Sequence, residues 1–122
     1  MPDLTDIVRD YYPRIDRMDV EGILRLFAPT AVYERAGARY EGLPSIAAFY
    51  REDRRISGTH SIEHLMADEA RRVVLVMGRF EGKGADGSSK AVDFADLWQF
   101  DETKSVSLRR TYLALGHAYV AS

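Results

Sequence analysis

Apolar residues return at every third or fourth position in the first part of the chain and at alternate positions in the second. Leu4, Ile7, Val8, Tyr11, Tyr12 and Ile15 keep helical spacing, and Asp3 or Thr5 can cap the helix they predict. Pro13 falls inside that pattern, so the helix is expected to kink or end early. A second helix is predicted over residues 19–27, with Asp19 as its cap, Val20, Ile23, Leu24 and Phe27 on one face, and Pro29 as its stop. Residues 31–35 read as a strand, Gly37 as a turn, and residues 39–41 as a short strand pairing back. Pro44 suits the first turn of a third helix that carries Ile46, Phe49 and Tyr50.

From Thr59 onward the period falls to two, the repeat of a strand. Strands are predicted over residues 59–67, 72–82, 90–100 and 106–115. A turn-rich run separates the second from the third, and its Asp86-Gly87 pair favours a tight hairpin. Helices first and an antiparallel meander afterwards make an α+β pattern, and 122 residues are enough for one domain, residues 1–122.

Two of these strands carry more than packing. One face of the 90–100 strand presents Val92, Phe94, Asp96, Trp98 and Phe100, a single carboxylate within an apolar stripe. Burying an ionised carboxylate alone costs several kcal/mol, so Asp96 must be partnered, protonated or functional. The strand before it is apolar on both faces, with Val74, Val76 and Phe80 on one and Val73, Leu75 and Met77 on the other. An outer face of Leu75, Met77 and Leu97 is a patch that a monomer rarely leaves in water. A homodimer formed through the outer sheet face is expected.

Composition narrows the function. A net charge of −2 with no basic run argues against nucleic acid. The chain has no cysteine, which excludes disulfides, thiol catalysis and thiolate metal sites. No apolar segment approaches the ~18 residues of a membrane span. The N-terminus lacks a basic region followed by an apolar one, so a cytoplasmic protein is expected. His60 and His64 lie on one predicted strand, and their separation of roughly 13 Å by strand rise is too long for a shared ion. No metal or other cofactor is expected, although either histidine can serve as a pocket acid–base group. His117 is expected in a frayed tail.

The order of elements, together with certain words of the sequence, resembles the nuclear transport factor 2-like superfamily. The words are Met18-Asp19-Val20-Glu21-Gly22-Ile23-Leu24-Arg25-Leu26-Phe27-Ala28, Ala31-Val32-Tyr33-Glu34, Ala48-Phe49-Tyr50, Phe94-Ala95-Asp96-Leu97-Trp98-Gln99-Phe100-Asp101 and Leu108-Arg109-Arg110-Thr111-Tyr112. That group includes ketosteroid isomerases, SnoaL-like polyketide cyclases, limonene epoxide hydrolases and scytalone dehydratases. The resemblance covers nearly the whole chain. It implies a cone-shaped, cystatin-like fold, with three N-terminal helices packed on a curved, mostly antiparallel sheet around an apolar cavity.

The resemblance also implies roles. Tyr11 falls on the oxyanion-hole tyrosine of the isomerases, Tyr50 on the tyrosine bonded to it, and Asp96 on the acid kept protonated beside them. The family's general base falls on Arg35, which cannot accept a proton at neutral pH. If Arg35 reaches Asp96 the carboxylate is favoured; if the apolar walls win, the acid keeps its proton. Periodicity alone groups Arg110 with Val106, Leu108 and Tyr112, whereas the family register turns Arg109, Thr111 and Leu113 inward. An inward Arg109 would pair with Asp96 or with a substrate carboxylate. Tyr33, Phe49, Phe94 and Trp98 are expected to line the cavity, and His64 to join Arg35 and Arg109 in contacting a substrate.

The expected function is acid–base catalysis without cofactor on a hydrophobic, polyketide- or terpenoid-like small molecule, by cyclisation, isomerisation or dehydration. Asp96, Tyr11 and Tyr50 would be the catalytic residues. One alternative is a non-catalytic ligand-binding or dimerisation module, in which Asp96 is closed in a salt bridge and little cavity is open. Another is a limonene-type epoxide hydrolase. It needs a second inward acid, and Arg79-Phe80-Glu81 reads better as an ion pair at a hairpin edge.

Overall fold

The computed structural model describes residues 3–115, so His117 lies outside the described residues. Helix α1 (Leu4–Asp16) starts in a reciprocal cap: the Asp3 carboxylate accepts from the Asp6 N–H, and the Asp6 carboxylate accepts from the Asp3 N–H. Its stripe of Leu4, Val8, Tyr11, Tyr12 and Ile15 is buried. Pro13 does not end it early. The ring removes a single N–H, and burying Tyr12 and Ile15 against the sheet outweighs that loss.

Helix α2 (Val20–Leu24) is capped by Asp19, which accepts from the Gly22 N–H at 3.0 Å. It is shorter than predicted. The Leu26 carbonyl already accepts from the Val106 N–H at 2.8 Å, and Phe27 begins strand β1 (Phe27–Arg35). Pairing with a distant strand overrides the local helical spacing here. Pro29 lies within β1, in the interval where the register to its neighbour shifts. Strand β2 (Ala38–Glu41) pairs back on β1, and helix α3 (Leu43–Ala48) runs on into a π-helical turn, Phe49–Asp53. The turn buries both Phe49 and Tyr50, the second against α1.

The remaining strands are β3 (Ser57–Asp68), β4 (Val73–Lys83), β5 (Ser89–Phe100) and β6 (Val106–Ala114). All strands join one curved, unclosed six-stranded sheet in the order β2-β1-β6-β5-β4-β3. Only β1 and β6 run parallel. The inner face carries Val74, Val76, Phe80, Phe94, Trp98 and Phe100 into one core with the helices. The outer face leaves Met66, Leu75, Met77 and Tyr112 exposed.

One irregularity matters for function. The β3–β4 register shifts between Ile62 and His64, as one extra residue does in a β-bulge. Strict alternation would put His60 and His64 on one face. With the bulge, His60 stays inside and His64 turns to the exposed outer side. No helix among the described residues is long and apolar enough to cross a membrane.

Candidate active site

Strands β5 and β6 set the floor of the site. Asp96 pairs with Thr111, and Trp98 with Arg109, so the carboxyl and guanidinium meet on the diagonal of one inner face. Asp96 is 1% exposed. Its Oδ2 accepts from Tyr12 Oη at 2.5 Å and from Arg109 Nη2 at 3.0 Å, and its Oδ1 accepts from Thr111 Oγ1 at 2.5 Å. In each bond Asp96 is the acceptor, as a carboxylate must be. Because the Thr111 hydrogen is committed to Asp96, Tyr33 donates to Thr111 at 3.0 Å. Trp98 Nε1 donates to Tyr12 at 3.2 Å.

Arg109 lies over the rings of Tyr11, Tyr33 and Trp98, with its guanidinium carbon 4.5, 4.7 and 4.8 Å from the ring centres. Burial pulls its pKa down, but the Asp96 carboxylate and the phenols around it outweigh burial, and the net direction is up. Arg109 is a permanent cation. Its Nη1 donates to Tyr11 Oη at 2.7 Å and to Tyr50 Oη at 3.0 Å.

The two phenol oxygens lie 2.7 Å apart. Counting hydrogens defines what this pair can do. Each phenol brings one O–H, both oxygens accept from Arg109, and the bond between them uses a single hydrogen. The other O–H has no acceptor among the described residues. Burial raises Tyr11 well above its ordinary range and pushes Tyr50 up to about 12, so both keep their protons at neutral pH.

His60 lines the same cavity as these tyrosines, from β3. Asp16, at the last turn of α1, accepts from His60 Nδ1 at 2.6 Å and from its backbone N–H at 2.9 Å. That contact places the ring hydrogen of the neutral form on Nδ1. Nε2 then has a free lone pair and no partner among the described residues. Burial lowers the His60 pKa, with Asp16 opposing and Arg109 and Arg54 assisting, so the ring is neutral at pH 7.

Tyr11, Tyr50, His60, Arg109, Phe49 and Phe94 are among the residues around an inner cavity of about 60 Å³. A second hollow of about 360 Å³ adjoins it and shares Arg35, Phe49, Arg54 and Ile56 with its wall. The inner space alone is well below the ~300–1,000 Å³ of typical small-molecule sites. With the outer hollow, the volume enters that range.

The residues expected from sequence divide into those the fold brings to the cavity and those it does not. Tyr11, Tyr50, Arg109, Phe49 and Phe94 line it. Arg35 lines it too but does not meet Asp96. It lies over the Phe49 ring at 5.3 Å and donates weakly to Tyr33 at 3.4 Å, while Arg109 takes the carboxylate. Asp96, Tyr33 and Trp98 lie in the floor beneath the cavity and do not wall it. His64 is on the outer face for the reason given above. Arg110 points outward and pairs with Glu34 at 2.7 Å, so the family register holds against simple alternation. Arg79 reaches Glu81 at 3.8 Å on the exposed side, the ion pair expected at the hairpin edge, and pairs more closely with Asp93 at 2.9 Å.

Sequence reasoning missed Tyr12 and Asp16, and gave Arg54 no role. Tyr12 and Asp16 stand four apart on α1, which places them on one helical face, and that spacing was the available signal.

No functionally curated protein matches the chain. Many solved structures share its fold, among them these three. An NTF2-like protein of unknown function from Burkholderia pseudomallei has a TM-score of 0.82 at 19% identity, over 93% of this chain and 92% of that one. SalBIII, an epoxide hydrolase/cyclase-like enzyme in pyran ring formation in the polyether salinomycin, has a TM-score of 0.82 at 18% identity, over 92% and 91%. A protein of unknown function with a cystatin-like fold from Methylobium petroleophilum has a TM-score of 0.77 at 19% identity, over 94% and 78%. At these identities the likeness is one of fold. The family model for the SnoaL-like domain matches residues 8–108, most of the chain, and the protein belongs to the SnoaL-like family.

Proposed function

We propose that this protein is an acid–base enzyme that enolises a small carbonyl compound in the inner cavity. The observation that carries this reading is the pairing of a free acceptor, His60 Nε2, with a surplus phenolic donor from Tyr11 and Tyr50 on one cavity. His60 Nε2 removes a proton from the carbon next to a carbonyl, and the C–H electron pair becomes the new C=C bond. The charge moves to the oxygen, where the spare phenolic O–H, held by cationic Arg109, stabilises it. The imidazolium, steadied by Asp16, then returns its proton. Delivered to another carbon it completes an isomerisation; delivered to a β-hydroxyl it expels water; where the enolate attacks a second carbonyl and closes a ring, it goes to the new alkoxide. Arg109 is in place for this because Asp96 holds it, which makes Asp96 a positioning residue in this scheme.

A polyketide- or terpenoid-like substrate fits a reactive end in the inner cavity and a body in the outer hollow. The exposed Met66, Leu75, Met77 and Tyr112 support pairing of two copies through their outer sheet faces. A cytoplasmic location belongs to the same reading.

The test is exchange of α-protons for deuterium in a panel of 1,3-dicarbonyl and enone compounds, followed by NMR. The wild type should accelerate exchange of at least one compound, and His60→Gln should lose about 10²–10⁴ of that rate. Tyr11→Phe should lose rate while still binding. If both variants exchange at the wild-type rate, the reading fails. A second reading, a non-catalytic binding module, draws support from the small inner cavity and the closed Asp96–Arg109 pair. It predicts equal ligand binding by wild type and Tyr11→Phe, with exchange by neither.

A further inference from the structure

Most arginines of the described chain have an acid beside them, among them Arg14, Arg39, Arg79 and Arg110. The outer hollow breaks this habit. Arg35, Arg54 and Arg55 all line it, and none has a carboxylate within ion-pair distance among the described residues. Arg54 donates to the Ile56 carbonyl at 3.0 Å and approaches Met18 Sδ at 3.6 Å. Arg55 donates to the Glu52 carbonyl at 2.7 Å, and Arg35 has only the weak bond to Tyr33 and the face of Phe49. Asp53 is the acid of this lining; it is exposed and pairs with none of the three.

Arg54 is the costliest of them. It is half-buried, and its pKa is lowered first by that burial, with Tyr11 and Tyr50 opposing and the like charges of Arg109 and Arg35 assisting. Cations gathered in a concave, partly desolvated site, none of them paired with the one acid of its lining, repel one another, and their unused N–H donors lack acceptors. Deeper in, Arg109 Nε is the one buried side-chain polar atom without a partner among the described residues. A neutral occupant of the outer hollow would leave the charge of Arg35 and Arg54 uncompensated. An oxyanion would neutralise it, and the planar guanidinium fork matches carboxylate or phosphate oxygens.

We propose that the outer hollow binds an oxyanion, a carboxylate or phosphate on the same small molecule that reacts in the inner cavity, with Arg35 and Arg54 as its ligands. These two line both spaces, so the anion sits at their junction while the carbonyl reaches Tyr11 and Tyr50. The inference rests on the reading of the inner cavity given above and supplies the substrate class, an anionic carbonyl compound.

Calorimetric titration of the full chain tests it, with 2,4-dioxopentanoate, its methyl ester and inorganic phosphate as probes. The acid should bind about tenfold tighter than the ester or better, and added salt should erode the difference. Arg35→Gln and Arg54→Gln should each erase most of that preference. Tighter binding of phosphate than of the acid, lost in the same variants, would identify the oxyanion as a phosphate and uphold the proposal. Should a glutamine variant fail to fold by circular dichroism, the wild-type acid-to-ester ratio and Arg54→Lys, which keeps charge without the fork, decide the matter. Equal affinity for acid and ester with no binding of phosphate overturns it, as does a preference that survives both glutamine variants. Binding and exchange are read separately. A preferred acid without exchange sinks the enzyme and spares this site; exchange of the ester without preference does the reverse.

Discussion

Asp96 and Arg109 in the floor, and Arg35 and Arg54 at the rim, are charged groups on one cavity with opposite surroundings. The floor pair is almost fully buried, and three donors meet the carboxylate. The rim arginines are half-buried and meet no carboxylate among the described residues. A buried pair with its lone pairs answered is a fixed part of the fold, because removing either partner leaves a charge in low dielectric. A cation at a rim keeps some water and keeps its donors open. On the proposed reading the first serves the fold and the second serves the ligand.

The comparison can be broken most sharply at the floor. Asp96→Ala should cost about 3–5 kcal/mol, because Arg109 is left buried and unpaired. Replacing both partners with apolar residues, Asp96→Leu with Arg109→Met, should cost less than the single change. Urea denaturation of the wild type, Asp96→Ala, Asp96→Leu, Arg109→Met and the double variant measures this, and an additive double variant would contradict the closed pair.

His60, on the wall of the inner cavity, gives the next effect. Its folded pKa lies below its unfolded value of 6.5. The unfolded chain therefore binds the proton more readily, and stability falls as pH drops from about 6.5 through the folded pKa. The slope from this one group cannot exceed about 1.4 kcal/mol per pH unit. His60→Gln should flatten that part of the stability–pH curve. Enolisation should decline over the same acidic window as Nε2 becomes protonated. A rate that rises on acidification would assign the base elsewhere.

The smallest effect belongs to the rim. Arg54→Gln should change stability by no more than about 0.5 kcal/mol, or raise it, since a half-buried cation with no acid contributes little to the fold. A loss as large as that of Asp96→Ala would mean that Arg54 belongs to the structure and would erase the contrast.

How much of this was readable beforehand follows from how local each feature is. The capped first helix, the strand alternation that sends Asp96 inward and the apolar patch around Leu75 and Met77 depend on residues a few positions apart. The positions of Tyr11, Tyr50 and Arg109 followed from the resemblance, and these three do meet. The end of the second helix did not follow. Phe27 has helical spacing with Ile23 and Leu24, yet it pairs with Val106 in the sheet.

The order of elements, the inward face of β5 and the family were therefore written in the sequence, because periodicity and short words are properties of neighbouring residues. The tertiary structure chose which arginine meets Asp96, which histidine faces the cavity and which cations stay open. Those outcomes hang on strand register and on one bulge between Ile62 and His64. A shift of one residue reverses every side chain beyond it, and no local pattern records where that shift occurs.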